Sequence, residues 1–169
     1  IRDSIRIALL LAAKKVLRIS NLKPKDVDFI IHGTTLATNA IIERKGAKTA
    51  LLTTDGFTDS LEIAYEHRFE QSDLFMERPK PLVPRHLRLG IKERIAADGS
   101  ILIPLDMRSV EEAVVKCREE KVEAIAIGFL HCYANDEHEK IVKSFIQKVL
   151  PDVPVSISSQ VSPEIREYD

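Results

Sequence analysis

The sequence has only two cysteines, Cys117 and Cys132, and they lack the Cys-x-x-Cys spacing of metal and redox motifs. Two distant thiols cannot form a disulfide framework, so we expect a cytoplasmic protein from a reducing compartment. Long apolar runs and a signal peptide are also missing, since Arg6 interrupts the first apolar stretch and Lys14 follows it. These absences exclude a small disulfide-rich secreted protein and a membrane-spanning helix.

An excess of charge of one sign is missing as well. The 25 Lys and Arg residues nearly balance 26 Asp and Glu residues, for a formal net charge of −1. No overall field draws the molecule toward nucleic acid or an anionic membrane, and we expect neither as a partner. The chain of 169 residues is 44% hydrophobic, which suits one domain with a buried core. Because it begins without Met inside a predicted helix, we expect a piece of a longer protein.

Amphipathic helical segments alternate with short apolar runs along most of the chain. Helices are predicted at 4–19, 35–45, 57–65, 106–120 and 135–149, and buried strands at 27–31, 48–53, 122–129 and 153–157. The first helix should be buried on much of its circumference, and Gly46 should end the second. Asp106 or Ser109 should start the fourth helix, and Asn135 should cap the fifth, where the acids that follow are favourably placed against the helix dipole. The turn Ala97-Asp98-Gly99 predicts a hairpin between 87–96 and 100–104. This alternation predicts an α/β fold, with a parallel-rich sheet, helices on both faces and an antiparallel hairpin insertion.

The pattern divides the chain into three segments. Residues 1–66 form an α/β core that contains a His-Gly-Thr-Thr turn. Residues 67–105 comprise a Pro- and Arg-rich loop and the hairpin, and residues 106–169 form a second α/β half whose last predicted helix, starting at Pro163, is truncated.

The first candidate site is the turn His32-Gly33-Thr34-Thr35, between a predicted strand and a helix. Ligands of parallel sheets bind beyond the carboxyl ends of strands, and the glycine, hydroxyls and helix-start amides of this turn suit an anion. The alternative is that Thr34 or Thr35 only caps the helix while Gly33 makes the turn. The turn is not a P-loop, because Gly-x-x-x-x-Gly-Lys-Ser/Thr is absent, as is Gly-x-Gly-x-x-Gly.

A second candidate follows the next predicted strand, at Asp55 and Asp59. Either carboxylate could hold a metal-bridged phosphate or polarise water at the same edge of the sheet. We favour the alternative, a plain turn followed by a helix cap.

Three side chains with metal-ligating chemistry, His131, Cys132 and His138, follow the strand predicted at 122–129. Structural zinc sites need four ligands, and no second close pair is present, so we expect no metal site. Cys132 is interpreted as a buried thiol rather than a nucleophile. Arg68, Arg78, Arg85 and Arg88 suggest either a basic rim for an anionic ligand or, as we favour, a solvated or subunit-facing surface.

The sequence resembles the N-terminal region of the hydantoinase A/5-oxoprolinase family, in collinear segments that cover nearly the whole chain. These segments are His32–Ala40, Glu43–Ala47, Thr53–Phe57, Leu61–Ile63, Pro81–Arg85, Glu93–Gly99, His131–Asn135 with His138-Glu139, and Pro163–Tyr168. The first phosphate motif of the family, Asp-x-Gly-Gly-Thr-Phe-Thr-Asp, does not occur in this sequence.

The resemblance implies a ribonuclease H-like, actin-like lobe from an enzyme that couples ATP cleavage to the opening of cyclic amides such as hydantoin, N-methylhydantoin or 5-oxoproline. ATP, with Mg²⁺, would phosphorylate the amide oxygen in the full-length protein. Gly33, Thr34, Thr35, Asn39 and Asp55 would line the nucleotide or substrate cleft, and no general base is assigned. Further domains of the same chain and a hydantoinase B-like subunit are the implied partners. We expect the isolated chain to bind no cofactor and to be inactive.

Two alternatives remain open. The same segments resemble the ATP-using subunits of acetone and acetophenone carboxylases, for which bicarbonate dependence is the distinguishing property. Actin-like folds also serve as non-enzymatic reactivators or assembly modules, in which nucleotide drives conformation rather than substrate chemistry.

Overall fold

A computed structural model describes residues 2–27, 35–63, 75 and 80–165 of the chain. The chain divides into two compact units, Ile1–Ile42 and Glu43–Asp169. The three-segment organisation expected from the sequence stays a prediction. None of the helices in the described part is long and apolar enough to cross a membrane.

The first unit contains helix α1 (Arg2–Ile19), a 3₁₀ turn at Pro24–Asp26 and helix α2 (Leu36–Ile42). The strand predicted at 27–31 lies outside the described residues except for Val27, which is extended. Helix α1 was expected to be buried on much of its circumference, and this is wrong for Leu10, Leu11 and Val16, which are 59–62% exposed. The spacing of apolar residues shows which face of a helix is suited to burial, but it does not show which segment packs against that face.

Helix α2 ends earlier than the sequence pattern predicts. It stops at Ile42, and Arg44 then adopts a left-handed conformation with φ of 53°. The helix was predicted to continue to residue 45 and to end at Gly46. A left-handed residue ends a helix whatever its type, and here Arg44 takes that conformation before the glycine is reached.

The second unit is built on a four-stranded parallel sheet. The strands in its described part are β1 (Thr49–Thr54), β2 (Arg88–Ile91), β3 (Arg94–Ile95), β4 (Ile101–Ile103), β5 (Ala124–Gly128) and β6 (Val155–Ile157). The parallel sheet has the order β2-β1-β5-β6, and β3 and β4 form a separate antiparallel pair. The predicted α/β class, with a parallel sheet flanked by helices and a small antiparallel element, is therefore confirmed.

Residues 87–96 were expected to form one arm of the hairpin, and this is wrong for the first part of that run. Residues of β2 pair with β1 in parallel, with Leu89 opposite Leu52, and only β3 pairs with β4. A short apolar run is typical both of a buried parallel strand and of a hairpin arm. The local sequence pattern therefore cannot distinguish between these two structures.

The core lies on one face of the parallel sheet. Leu52 is opposite both Leu89 and Ile127, and all three are buried. Helices α4 (Met107–Glu119) and α5 (Glu137–Val149) supply the other half of this core, with the buried side chains Val110, Ala113, Val114, Cys117, Val142 and Ile146. Since α4 and α5 carry apolar residues at helical spacing, their positions follow from the sequence.

Three further features concern helix ends. The Asp106 side chain accepts a hydrogen bond from Arg108 N at 3.1 Å, so this predicted capping residue is confirmed. Asn135 Oδ1 accepts one from Glu137 N at 3.0 Å, but Asn135 lies one residue before the N-cap of α5, which is Asp136. The helix predicted at 57–65 is reduced to α3 (Ser60–Ile63), with residues 64 and 65 outside the described part. The last short helix, α6 (Ser158–Val161), directly follows β6, and residues 162–165 after it are not helical.

Candidate functional site

The carboxyl ends of β1, β2 and β5 are joined by the hydroxyl of Thr54 and the carboxylate of Glu93. Thr54 is 1% exposed and ends β1, and Glu93 is 2% exposed and lies two residues beyond β2. The Thr54 hydroxyl donates a short hydrogen bond to Glu93 Oε1 and accepts one from Leu130 N at 2.9 Å. One hydroxyl thus connects three strand ends.

The second oxygen of the same carboxylate binds a histidine. His138 Nδ1 lies 2.8 Å from Glu93 Oε2, and both side chains are at most 4% exposed. His138 belongs to the first turn of α5, so this contact fixes that helix to the segment after β2. A buried carboxylate is tolerated when both of its oxygens are hydrogen-bonded, as they are here.

Glu139, the next residue of α5, holds the ends of β5 and β6 together. It is 1% exposed, and its Oε1 accepts hydrogen bonds from Phe129 N at 3.3 Å and from Ser158 Oγ at 2.6 Å. Its Oε2 accepts one from Ser159 N at 3.1 Å. We call Thr54, Glu93, His138, Glu139 and Ser158 the edge network.

Cys132 joins the edge network through Ser158. Its Sγ lies 2.9 Å from Ser158 Oγ, and because Ser158 gives its only hydroxyl proton to Glu139, the thiol is the donor in this contact. The Cys132 side chain is 2% exposed, so its interpretation as a buried residue is confirmed.

The loop after β5 also holds the hairpin in place. His131 has a left-handed conformation, with φ of 60°, and its Nδ1 lies 2.8 Å from the carbonyl oxygen of Ile95. A carbonyl only accepts, so this nitrogen carries the proton. Asn135 Nδ2 donates to Gly99 O at 2.9 Å, at the hairpin turn where Gly99 has a positive φ of 83°.

A second set of contacts connects the residues after β1 with those before β2. Arg85 donates to both carboxylate oxygens of Asp59 at 2.9 and 2.8 Å, and this hydrogen-bonded contact holds the pKa of Asp59 below its usual value. The Arg88 side chain is 1% exposed, and it binds Glu62 Oε1 at 3.1 Å and Val83 O at 2.9 Å. Both arginines therefore have acidic partners within the chain.

The residues predicted to form a site lie in different parts of the chain. Gly33 and Thr34 fall outside the described residues. Thr35 precedes α2, where its carbonyl oxygen accepts a hydrogen bond from Asn39 N at 2.7 Å, and both residues are exposed. Their proposed role in a cleft stays a prediction.

Asp55 follows β1 directly and is exposed. Its Oδ1 accepts a hydrogen bond from Gly56 N at 3.1 Å, and its backbone N donates to Ile91 O at 2.9 Å. The side chain lies over Gly90, where an added Cβ would come within 2.6 Å of Asp55 Oδ1. Gly90 therefore provides the space for this carboxylate, whose role in a cleft also stays a prediction.

The sequence analysis did not predict that the residues of the edge network contact one another. His138 was weighed there as a metal ligand, and the acids near the start of α5 were interpreted as favourable charges at a helix N-terminus. Glu93 and His138 are 45 residues apart, and Thr54 and Glu93 are 39 apart, so local spacing gives no signal. Only the family resemblance marks these positions.

Three amides at the sheet edge in the second unit already have acceptors within the chain. The amides of Phe129, Leu130 and Ser159, which face the edge, already donate to Glu139 and Thr54. Within 43–63 and 80–165, no three His, Cys, Asp or Glu side chains are grouped so as to hold a metal ion. The edge network therefore fills, with the chain's own groups, the place where parallel sheets bind anions.

Comparisons with known proteins place this chain in a family. A model of the hydantoinase/oxoprolinase N-terminal region matches residues 2–150. Caprolactamase subunit alpha from Pseudomonas jessenii is 43% identical over 145 residues, which is 85% of this chain and 21% of that protein. The acetophenone carboxylase gamma subunit from Aromatoleum aromaticum is 32% identical over 166 residues, or 90% of this chain and 22% of that protein.

A solved structure agrees with these matches. The crystal structure of the ATP-dependent caprolactamase from Pseudomonas jessenii superimposes with a TM-score of 0.86 at 39% identity, covering 95% of this chain and 24% of that one. The chain thus spans about a fifth to a quarter of the length of these relatives. The match over residues 2–150, the identity to these relatives and the shared fold show that the chain belongs to the hydantoinase/oxoprolinase N-terminal family.

Proposed function

We propose that this chain is part of an ATP-dependent hydrolase that opens cyclic amides. The observation that carries the proposal is the 39% identity and TM-score of 0.86 to an ATP-dependent caprolactamase over 95% of the chain. Because the chain spans only 24% of that structure, the proposal concerns the full-length protein. In that protein ATP, with Mg²⁺, would supply the phosphoryl group that activates the amide oxygen toward water.

The second unit would act as the scaffold of such an enzyme. Its edge network fixes the segments that follow β1, β2 and β5, and the exposed Asp55 lies at the start of one of them. A carboxylate held on a rigid sheet edge is positioned more precisely than one on an unsupported loop. Asp55, together with Gly33, Thr34, Thr35 and Asn39, is our proposal for residues that line the nucleotide or substrate cleft.

The test is a coupled assay with the full-length protein. ATP hydrolysis and ring opening are measured against caprolactam, 5-oxoproline, hydantoin and N-methylhydantoin. We expect one of these amides to stimulate ADP release, with ring-opened product formed in equal amount. ATP hydrolysis that no cyclic amide changes would contradict the proposal and favour a non-enzymatic nucleotide-driven module.

Variants of the full-length protein test the cleft residues. Asp55→Asn and Thr35→Ala should lower amide-stimulated ATP hydrolysis at least about tenfold, since a charged or polar contact in the cleft is lost. The matched control is Glu111→Gln, an exposed acid on α4, which should leave the rate unchanged. If Asp55→Asn is as active as the control, Asp55 does not belong to the cleft.

The second candidate is the ATP-using subunit of a carboxylase. It is favoured by the 32% identity to the acetophenone carboxylase gamma subunit, which extends over 90% of the chain. Under this function, ATP hydrolysis would depend on a ketone and bicarbonate together, and no cyclic amide would be opened. Adding bicarbonate with acetone or acetophenone to the same assay separates the two functions.

The proposed partners are the cyclic amide, the remaining domains of the full-length polypeptide and a hydantoinase B-like subunit. The names of relatives support the last of these, since caprolactamase and acetophenone carboxylase are each represented by a subunit. We further propose a cytoplasmic location. Co-expression of the full-length protein with a candidate second subunit, followed by mass measurement of the purified complex, tests the assembly.

A further inference from the structure

Strand β4 exposes three successive apolar side chains. Ile101, Leu102 and Ile103 are 45%, 62% and 52% exposed. Ile101 and Ile103 lie opposite Ile95 and Arg94 of β3, and Leu102 lies between them at a shift in the register. The flanking Ser100 and Pro104 are also exposed, and the five-residue segment 100–104 carries no charge.

The strand is nevertheless held in place. Its partner β3 contains Ile95, which is 1% exposed, and the turn between the strands is closed by hydrogen bonds from Gly99 N to Ala96 O and from Ala96 N to Ser100 O, both at 2.9 Å. The contacts from His131 and Asn135 fix the same hairpin to the loop after β5. These hydrogen bonds therefore hold the apolar segment in a fixed position, and it is not a frayed strand end.

One edge of β4 also lacks a neighbouring strand. Within the described residues, β4 pairs with β3 alone. Exposed edge strands are usually protected from pairing by charged residues, by proline within the strand or by a bulge. The register of the β3–β4 pair shifts at Leu102, but Ile101–Ile103 has neither a charge nor a proline. A contiguous exposed apolar segment with an open edge is typical of an interaction surface.

We propose that β4 is the docking surface for the remainder of the full-length polypeptide, which contributes an extended apolar segment along the open edge. This chain matches the caprolactamase structure over 95% of its own length but covers only 24% of that chain. About three quarters of that relative's polypeptide thus lies outside the matched region, so a full-length protein of similar size has ample further chain to cover β4. An added strand supplies backbone hydrogen bonds, and its apolar side chains cover those of β4. This inference goes beyond the proposed function and does not depend on it.

Hydrogen exchange tests the docking surface without reference to activity. Amide exchange of residues 101–103 is measured in the full-length protein and in the 169-residue chain. We expect at least about tenfold slower exchange in the full-length protein, because pairing and burial protect amides. Equal exchange in the two proteins would overturn the proposal.

Two substitutions then test whether the slower amide exchange arises from contacts at β4. Leu102→Asp in the full-length protein should abolish the difference in exchange, since a charge cannot be buried in an apolar contact. The matched control is Val115→Asp on α4, where Val115 is 53% exposed, and it should leave the difference intact. Should Leu102→Asp prevent folding, Leu102→Thr gives a milder test, and the wild-type comparison needs no variant.

Two outcomes would identify a different occupant and overturn the proposal. Protection that appears in the 169-residue chain and grows with its concentration would show that a second copy covers β4. Protection of the full-length protein only after a separate subunit is added would show that the partner is another polypeptide. Loss of amide-dependent ATP hydrolysis in the assay of the full-length protein would bear on the proposed function alone.

Discussion

The carboxyl edge of the parallel sheet buries Glu93, His138 and Glu139, whereas strand β4 leaves Ile101, Leu102 and Ile103 exposed. Polar groups can be buried at the edge because each has partners within the chain. Apolar groups on β4 remain in water because no described part of this chain covers them. The polar groups of the edge thus find all their partners within this chain, whereas β4 is a surface for another segment. Substitutions at the edge should therefore lower the free energy of unfolding of this chain, and substitutions on β4 should change it little.

The largest effect is expected at Glu139. Glu139→Ala removes a buried carboxylate that accepts three hydrogen bonds, so the amides of Phe129 and Ser159 and the hydroxyl of Ser158 lose their acceptor. We expect a loss of about 4 kcal/mol in the free energy of unfolding, measured by urea denaturation of this chain. Glu111→Ala, which removes an exposed acid from α4, should change it by less than about 0.5 kcal/mol. Similar losses for both would show that Glu139 does not hold the edge together.

A matched leucine pair compares the two regions directly. Leu52 is 0% exposed in β1 and Leu102 is 62% exposed in β4. Leu52→Ala should lower the free energy of unfolding of this chain by about 3 kcal/mol, through lost burial and the cavity left behind. Leu102→Ala should lower it by less than about 0.5 kcal/mol. A large loss at Leu102 would mean that β4 is already packed within this chain and is not a surface for another segment.

The Glu93–His138 contact should show energetic coupling. Glu93→Gln and His138→Gln each leave a buried partner without its hydrogen bond, and each should lower the free energy of unfolding by about 2 kcal/mol. In the double variant the loss should be smaller than the sum by about 1 kcal/mol, since the second substitution removes a group that is already unpaired. Strict additivity in this double-mutant cycle would contradict a direct contact.

The smallest effect is expected at the exposed pair Asp59–Arg85. The hydrogen bond and charge of Arg85 lower the pKa of Asp59 in the folded chain. The stabilisation is therefore fully present above the unfolded pKa, about 3.9, and is lost as pH falls through the lower folded value. Arg85→Ala should raise the pKa of Asp59 toward its ordinary value in a carboxyl NMR titration. The stability difference between variant and wild type should vanish in strong acid. An unchanged titration of Asp59 would contradict the pairing.

Much of the second unit could be predicted from the sequence. Helices α4 and α5 have apolar residues at helical spacing, and Asp106 and Asn135 bind amides in their first turns, so local chemistry determines closely where they begin. Strands β1, β5 and β6 are short apolar runs between turns, which is typical of buried parallel strands. Segment 87–96 was predicted as one hairpin arm, but it contains two strands, β2 and β3, on either side of Lys92. The prediction failed because β2 is defined by its pairing with β1, which is distant in the sequence.

The candidate site was less predictable. Turn chemistry drew attention to Asp55, and the structure places it in an exposed turn after β1. The edge network depends on contacts between residues far apart in sequence, and neither periodicity nor spacing encodes such contacts. A histidine and a glutamate in the first turn of a helix suggest exposed polar residues, yet His138 and Glu139 are 3% and 1% exposed because the sheet edge offers them partners.

The edge network occupies the anion-binding edge of the sheet in the second unit, and direct titration with an anionic ligand tests this most sharply. The experiment is an NMR titration of the isotope-labelled full-length protein, in which we propose that ATP binds, with Mg²⁺ and a non-hydrolysable ATP analogue. We predict that the amide signals of Phe129, Leu130 and Ser159 do not shift, because these amides already donate within the chain. Saturable shifts of these three signals would contradict an edge that is filled by the chain's own groups.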